Sequence, residues 1–149
     1  LNLKGAFFIM QEAAKPMIEQ RSGNIVNIAS IAGTFGGPTS SPPYAAAKAG
    51  LVNLTTVAAA SLAQYGVRVN AIAPGIINTP FHAPVDLEIG QKQLGLDPGD
   101  HIHTRVDLIP LGRLGEPEDV AATVAFLASD DADHISGETI TVAGAMRSL

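Results

Sequence analysis

The 149 residues contain no cysteine and no tryptophan, and aromatic residues amount to 5%. Without cysteine there is neither a disulfide framework nor thiol chemistry. With so few rings, a core has to be assembled from Ala, Val, Ile and Leu. Positive charge is also scarce. Nine Lys and Arg stand against fourteen Asp and Glu, for a net charge of −5. There is no basic run, which argues against nucleic acid as the main partner. No apolar run reads as long enough to span a membrane. The opening LNLKGAFFIM has neither a basic leader nor a small-residue cleavage site, so no signal peptide is expected and the cytoplasm is the default location. An initiating Met is missing too. The chain starts at Leu1 in what reads as the body of a helix, as if in the middle of a fold.

What is present reads as globular. Hydrophobic residues make up 46% of the chain and charged residues 15%, enough to bury a core. Residues 2–20 place Leu3, Ala6, Phe7, Met10, Ala13, Ala14, Met17 and Ile18 at helical spacing on one buried face, with Pro16 expected to kink the last turn. IVNIA, Ile25 to Ala29, reads as a short buried strand. Residues 31–43, rich in Gly, Pro and Ser, read as a loop. A helix is expected from about Pro43 to Gln64, and GVRVNAIAP, Gly66 to Pro74, as a second buried strand. Residues 76–109 are mixed, with short helical pieces. GEPEDVAATVAFLAS reads as a third helix, with Pro117 in its first turn and acidic residues at its positive end. GETITVAG, Gly137 to Gly144, reads as a third strand. Alternating helix and strand predict an α/β fold: a Rossmann-like parallel sheet with flanking helices and right-handed crossovers. No internal repeat or linker marks a domain boundary.

Within this frame YAAAKAGL raises a chemical question. Tyr44 and Lys48 are one turn apart, so both side chains share a helix face. Taken alone the pair also reads as a packing tyrosine beside a solvated lysine. Open parallel sheets, however, bind ligands beyond the carboxyl ends of their strands. Ser30 directly follows the first strand, the Tyr44 helix begins after the loop, and PGIINTP directly follows the second. A hydroxyl, a phenol, an ammonium and a Pro-Gly turn thus converge on one edge. A nearby ammonium favours phenolate, and a tuned phenol can exchange a proton with an alcohol or carbonyl oxygen. Ser30 can hold that same oxygen in place. Such a trio needs a hydride donor, and a nicotinamide suits the fold.

Ser30, Tyr44 and Lys48, with NLKG before them and PGIINT after, resemble the short-chain dehydrogenase/reductase family. The likeness continues through PLGRLGEPEDVAATVAFLASD and ISGETITV, so it covers nearly the whole chain. The resemblance implies NAD or NADP as cofactor and an alcohol or ketone as substrate. It implies Tyr44 as general acid/base, and Lys48 as the group that lowers its pKa and holds the nicotinamide ribose. Ser30 would orient the substrate carbonyl. Asn2 would hold, from its helix, a relay water behind Lys48. Pro74, Gly75 and Ile77 would contact the carboxamide through backbone, and Thr79 through its hydroxyl. Residues 80–109 would form the substrate lid, somewhat like those of polyol dehydrogenases, with Phe81, His82 and Leu87 as candidates to touch substrate. Homo-oligomers, tetramer or dimer, would form through the helix at 2–20 and the alanine-rich helix after Tyr44. No metal is implied: Asp100 to His103, DHIH, reads as a polar lid loop, and His134 as a surface loop residue.

The sequence also departs from that family. Ser30 precedes Tyr44 by fourteen positions, one more than the commonest family spacing. The extra residue falls in GGPTSSPP, where Ser40 or Ser41 would either line the pocket or fill the loop. The usual paired glycines after the last strand are replaced by Ala143, Gly144 and Ala145. The glycine-rich turn that cradles the dinucleotide pyrophosphate and the residue that selects NAD or NADP are not in this chain. A complete member is expected to carry roughly a hundred residues more upstream. Two rival readings therefore stand beside the dehydrogenase: a non-catalytic fragment that keeps its oligomer surfaces, and a 3-oxoacyl-[acyl-carrier-protein] reductase.

Overall fold

In a computed structural model, residues 2–36 and 41–146 are described. Helix α1 spans Lys4–Gln20 and runs through Pro16. It stops at Arg21, which takes a left-handed conformation while the N–H groups of Arg21 and Ser22 bond the carbonyls of Ile18 and Met17, closing the orphan carbonyls of the last turn. Strand β1 follows at Gly23–Ile28. The loop expected next is more ordered than its composition implies: Ile31–Gly33 forms a 3-10 turn. Helix α2 covers Pro42–Leu62 and tightens into a 3-10 turn at Ala63–Tyr65. Gly66, at a φ of 72°, then reverses the chain into strand β2, Val67–Pro74.

The segment from Pro80 to Leu108 is a chain of short helical pieces. A 3-10 turn at Pro80–His82 leads into α3 (Ala83–Val85) and a π-helical stretch at Asp86–Gln91. Then come α4 (Asp100–His103) and a 3-10 turn at Val106–Leu108. Helix α5 is Pro117–Ala128 and strand β3 is Thr139–Val142. The acidic start of α5 behaves as its sequence implies. The Asp119 carboxylate accepts from the Glu116 N–H at 2.8 Å, and Arg113 grips the same carboxylate with two bonds of 2.7 and 3.0 Å.

The three strands form one parallel sheet in the order β1-β2-β3. Ile25 pairs with Val69 and Ile72 with Ile140. Central β2 is buried along almost its whole length, as a strand covered on both faces must be. Its alternation divides the core. Val69 meets Met10, Ala59 and Leu54 from α1 and α2, whereas Ile72 meets Leu127, Val124 and Val120 from α5. A further cluster, Ile31, Ala73, Ile76, Ile102, Ile109, Leu114 and Met146, closes the carboxyl ends of the strands beneath the 80–109 segment.

Four expectations need correction. Asn2 lies in an exposed turn before α1, not within the helix. Leu3 and Phe7, placed on the buried face of that helix, are exposed, together with Phe8 and Ile9. The residues that α1 buries are Met10 and Ala14, because only its middle crosses the sheet. Third, an apolar run of membrane length does exist. Pro42–Tyr65 is 24 residues of helix with mean hydropathy 1.2, long and apolar enough to cross a membrane by length and composition. Its alanines supply that hydropathy, and they equally suit a helix seated on a sheet. Leu51, Thr55 and Ala59 are the residues it buries there. Fourth, the strand expected to be buried at Ile25–Ala29 is at the edge of the sheet and only half-buried, with Ile28 exposed, because it is paired on one side alone. The turn after β3 uses two left-handed residues, Gly144 at φ 58° and Ala145 at φ 67°. Gly144 is needed on a second count, since a Cβ there would come within 2.6 Å of the Ile109 side chain.

Candidate active site

Three of the residues singled out in the sequence are gathered where β1 ends against α2. The Lys48 ammonium donates to the carbonyl of Ile28, the last residue of β1, at 2.6 Å. Ser30 is two residues further on, in extended conformation, and its hydroxyl accepts from the Ala32 N–H at 3.2 Å. That bond uses an acceptor lone pair and leaves the hydroxyl proton to donate elsewhere. The turn bearing Ser30 sits directly on α2. A Cβ on Gly33 would come within 2.5 Å of the Lys48 backbone, so only glycine permits this approach. Tyr44 stands one turn before Lys48, whose Nζ is 5.7 Å from the centre of the phenol ring.

The electrostatics fit a proton-handling site. Partial burial holds the Lys48 pKa below its ordinary value, which brings the ammonium nearer to giving up a proton. With one N–H on Ile28, two more remain for other acceptors. Ser30 and Tyr44 are both half-buried, accessible to a small molecule.

The Pro-Gly turn is fixed by the far side of the sheet. Gly75 donates its N–H to Val142 at 2.9 Å, and a Cβ on Gly75 would come within 2.8 Å of the Ala143 Cβ. Beyond it Ile77 pairs with Gly115. Among the described residues the Ile77 N–H donates to no protein acceptor. The Thr79 hydroxyl has only a long contact of 3.5 Å with the Ile77 carbonyl. A backbone donor and a hydroxyl are thus open beside this turn, the groups a carboxamide would engage. Asn2, by contrast, makes no hydrogen bond among the described residues. Ser40 lies outside the described residues, and Ser41 is exposed at the start of α2.

The 80–109 segment arches over this edge. Phe81 approaches Tyr44 with ring centres 6.3 Å apart, and the His82 ring meets Phe81 edge-on at 5.6 Å. Burial pulls the His82 pKa down, Arg105 and His101 add to this, and a hydrogen bond to the Ile77 carbonyl opposes it. Leu87, also expected near substrate, is exposed. Of the two histidines in DHIH, His101 is half-buried and His103 exposed, and no group of three potential metal ligands gathers among the described residues.

One organising residue was not legible in the sequence. The buried Asp86 carboxylate accepts from Gln91 Nε2 at 2.9 Å, the Gly99 N–H at 3.0 Å and the His101 N–H at 3.2 Å. The Gly99 N–H, then Gln91, hold its pKa below the usual carboxylate value, against the effect of burial. Two of its partners are backbone groups more than ten residues away, so no local motif announces it. Gly90 lets the two arms meet, since a Cβ there would come within 2.7 Å of the His101 side chain.

Comparison with known proteins bears on this arrangement. A family model described as enoyl-(acyl carrier protein) reductase matches residues 1–146. A 3-oxoacyl-[acyl-carrier-protein] reductase of Thermotoga maritima is 40% identical over 146 residues, covering 98% of this chain and 54% of that protein. The crystal structure of levodione reductase superimposes with a TM-score of 0.87 at 38% identity, covering 97% of this chain and 54% of that one. That of NAD+-bound xylitol dehydrogenase gives 0.84 at 34% identity, covering 97% and 56%. The chain spans about half the length of the curated relatives it matches.

Proposed function

The chain belongs to the short-chain dehydrogenase/reductase family, and from that premise we propose that it carries the catalytic and substrate-binding half of an NAD(P)-dependent oxidoreductase acting on an alcohol or ketone. The observation that carries the reading is Lys48. It sits one turn from Tyr44 and is anchored at 2.6 Å to the strand end that presents Ser30. Relatives that act on 3-oxoacyl groups or are solved with NAD+ support the same chemistry.

The nicotinamide, when bound, supplies or takes up a hydride at the reacting carbon. The residues of this chain manage the oxygen. In reduction, the Ser30 hydroxyl donates to the ketone oxygen and orients it. Tyr44 gives its proton to that oxygen as the hydride arrives, so the product is a neutral alcohol. Lys48 then returns a proton toward Tyr44, helped by its lowered pKa, with Asn2 assigned to a water behind it. In oxidation the same atoms run in reverse, and the Tyr44 phenolate takes the alcohol proton. Lys48 also fits the ribose hydroxyls. The Pro74–Gly75 turn, the Ile77 N–H and the Thr79 hydroxyl fit the carboxamide. Residues 80–109 act as the lid.

Tyr44→Phe removes the transferable proton while keeping the ring that faces Phe81. It is expected to reduce kcat at least a thousandfold with the circular dichroism spectrum unchanged. A variant retaining a tenth of the parent turnover ends the acid/base role. Comparing acyl thioesters with simple alcohols separates this reading from a 3-oxoacyl reductase, which the Thermotoga maritima relative favours.

A homo-oligomer accompanies the reading. Leu3, Phe7, Phe8, Leu54 and Val57 line an open groove between α1 and α2, an apolar surface of the kind buried between subunits. Phe8→Asp is expected to lower the sedimentation mass. Assembly through this groove without dinucleotide binding is the outcome that favours a non-catalytic role. A cytoplasmic location goes with this reading, since α2, despite its hydropathy, is seated on the sheet.

A further inference from the structure

We infer that the substrate handled beside Tyr44 has a compact apolar body, a ring or branched alkyl ketone or its alcohol, and that Phe81 is the specificity-determining residue that selects it. This rests on the hydride-transfer reading above. The carrying observation is a large apolar ring left 70% exposed at the reacting edge, yet held in place. Phe81 contacts the Tyr44 ring on one side and the His82 ring on the other. His82 is itself half-buried in the lid. The ring is therefore oriented before any ligand arrives, and its uncovered area is next to the phenol that handles the substrate oxygen. A substrate whose oxygen meets the Tyr44 hydroxyl and whose carbon skeleton covers Phe81 would bury this ring.

The polar side chains of the lid point the same way. Every one from Asp86 to Lys92 is engaged within the lid. Asp86 holds Gln91 and two backbone N–H groups, and Glu88 pairs with Lys92 at 2.9 Å. The apolar side chains between them, Leu87 and Ile89, are exposed. A polyol brings a hydroxyl on nearly every carbon. Against Phe81 those hydroxyls would lose water without gaining partners, which is unfavourable. A saturated or aromatic ring gains by covering the same surface.

Saturation-transfer NMR on the full chain tests this without requiring turnover. Cyclohexanone and xylitol serve as probes, with wild type, Phe81→Ala, Phe81→Leu and Phe81→Asn compared. Cyclohexanone is expected to receive saturation from the wild-type protein and xylitol none. Phe81→Ala and Phe81→Asn should cut the cyclohexanone signal at least fivefold, and Phe81→Leu, which keeps an apolar surface, should retain most of it. Melting temperatures should stay within a few degrees, because the residue is mostly outside the core. A xylitol signal matching that of cyclohexanone overturns the proposal. So does an unchanged signal in Phe81→Asn, or the absence of signal from both probes in the wild type. Tyr44→Phe distinguishes the two levels: if that variant binds cyclohexanone normally yet still turns substrate over, the acid/base role fails while the Phe81 selection stands.

Discussion

Asn70 offers the most direct test of how the sheet holds the active edge in place. Its side chain, 0% exposed in the middle of β2, donates through Nδ2 to the Ile135 carbonyl at 2.8 Å and accepts through Oδ1 from the Glu138 N–H at 3.0 Å. It thus clamps the loop that delivers β3. Strand β3 in turn wedges the Pro74–Gly75 turn, where Gly75 bonds Val142 and packs on Ala143. Asn70→Ala removes both bonds at once. Each is worth about 1 kcal/mol net, and a backbone group left unpaired in the interior costs about 1–3 kcal/mol. If water reaches one of the two groups, the total comes to about 2–4 kcal/mol. The loss should remain local at first, because Gly137 still bonds Val69, and Ala71 still bonds Glu138, at 2.8 Å each. Urea unfolding followed by far-UV circular dichroism is the assay, since there is no tryptophan to report. The midpoint should fall while the slope stays the same. Asn70→Asp separates the two bonds: ionised, it keeps the Glu138 acceptor and loses the Ile135 donor, and protonation at low pH restores a donor. A loss for Asn70→Ala below about 1 kcal/mol, within the net worth of a single hydrogen bond, refutes the clamp.

Three further expectations concern other parts of the molecule. Ala145 at φ 67° carries a left-handed penalty of about 1–2 kcal/mol, so Ala145→Gly should stabilise by about 0.5–1 kcal/mol after the extra chain entropy of glycine. Gly144→Ala, one residue away, should destabilise instead, and thermal melts of the pair check the opposite signs. Asp119, held at about 2 by Arg113 and the Glu116 N–H, has a folded pKa below its unfolded value. Its contribution is therefore complete above about pH 4 and lost as pH falls toward 2, and Asp119→Asn should flatten that part of a stability-against-pH curve. His82 is also depressed, by burial, Arg105 and His101 against the Ile77 bond. Its share of lid stability is present above about 6.5 and lost as pH falls further, which hydrogen exchange of residues 80–109 should register before the strands do.

Much of the architecture was written in local pattern. The stretch Val67–Pro74, preceded by Gly66 and ended by Pro-Gly, reads as a buried strand and is one, whereas Ile25–Ala29, read the same way, belongs to a strand at the sheet edge that is only half-buried, with Ile28 exposed. The Pro117, Glu118 and Asp119 series marks a helix start through physics confined to one turn. Tyr44 and Lys48 are legible as a pair because helical spacing alone puts them on one face. Ser30 joined them only by the general rule about strand ends, and the bond that realises it is between Lys48 and the Ile28 carbonyl, a partner with no sequence signature. The extent of exposure on α1 was misread because helical periodicity identifies an apolar face without saying how much of it a neighbour covers. Leu3 and Phe7 continue the stripe of Met10 and Ala14, yet the sheet reaches only the latter two.

What the sequence by itself determined, then, was the order of elements, the parallel sheet and the identity of the chemical groups, because periodicity, capping and turn chemistry act within a few residues. What only the tertiary structure decided was how those groups are held. Gly33 admits α2 against the Ser30 turn, Asp86 closes the lid on backbone groups far along the chain, and Phe81 comes to rest on Tyr44. Each of these is a contact between segments distant in sequence, where the fit depends on the position of whole elements and leaves no mark on the residues nearby.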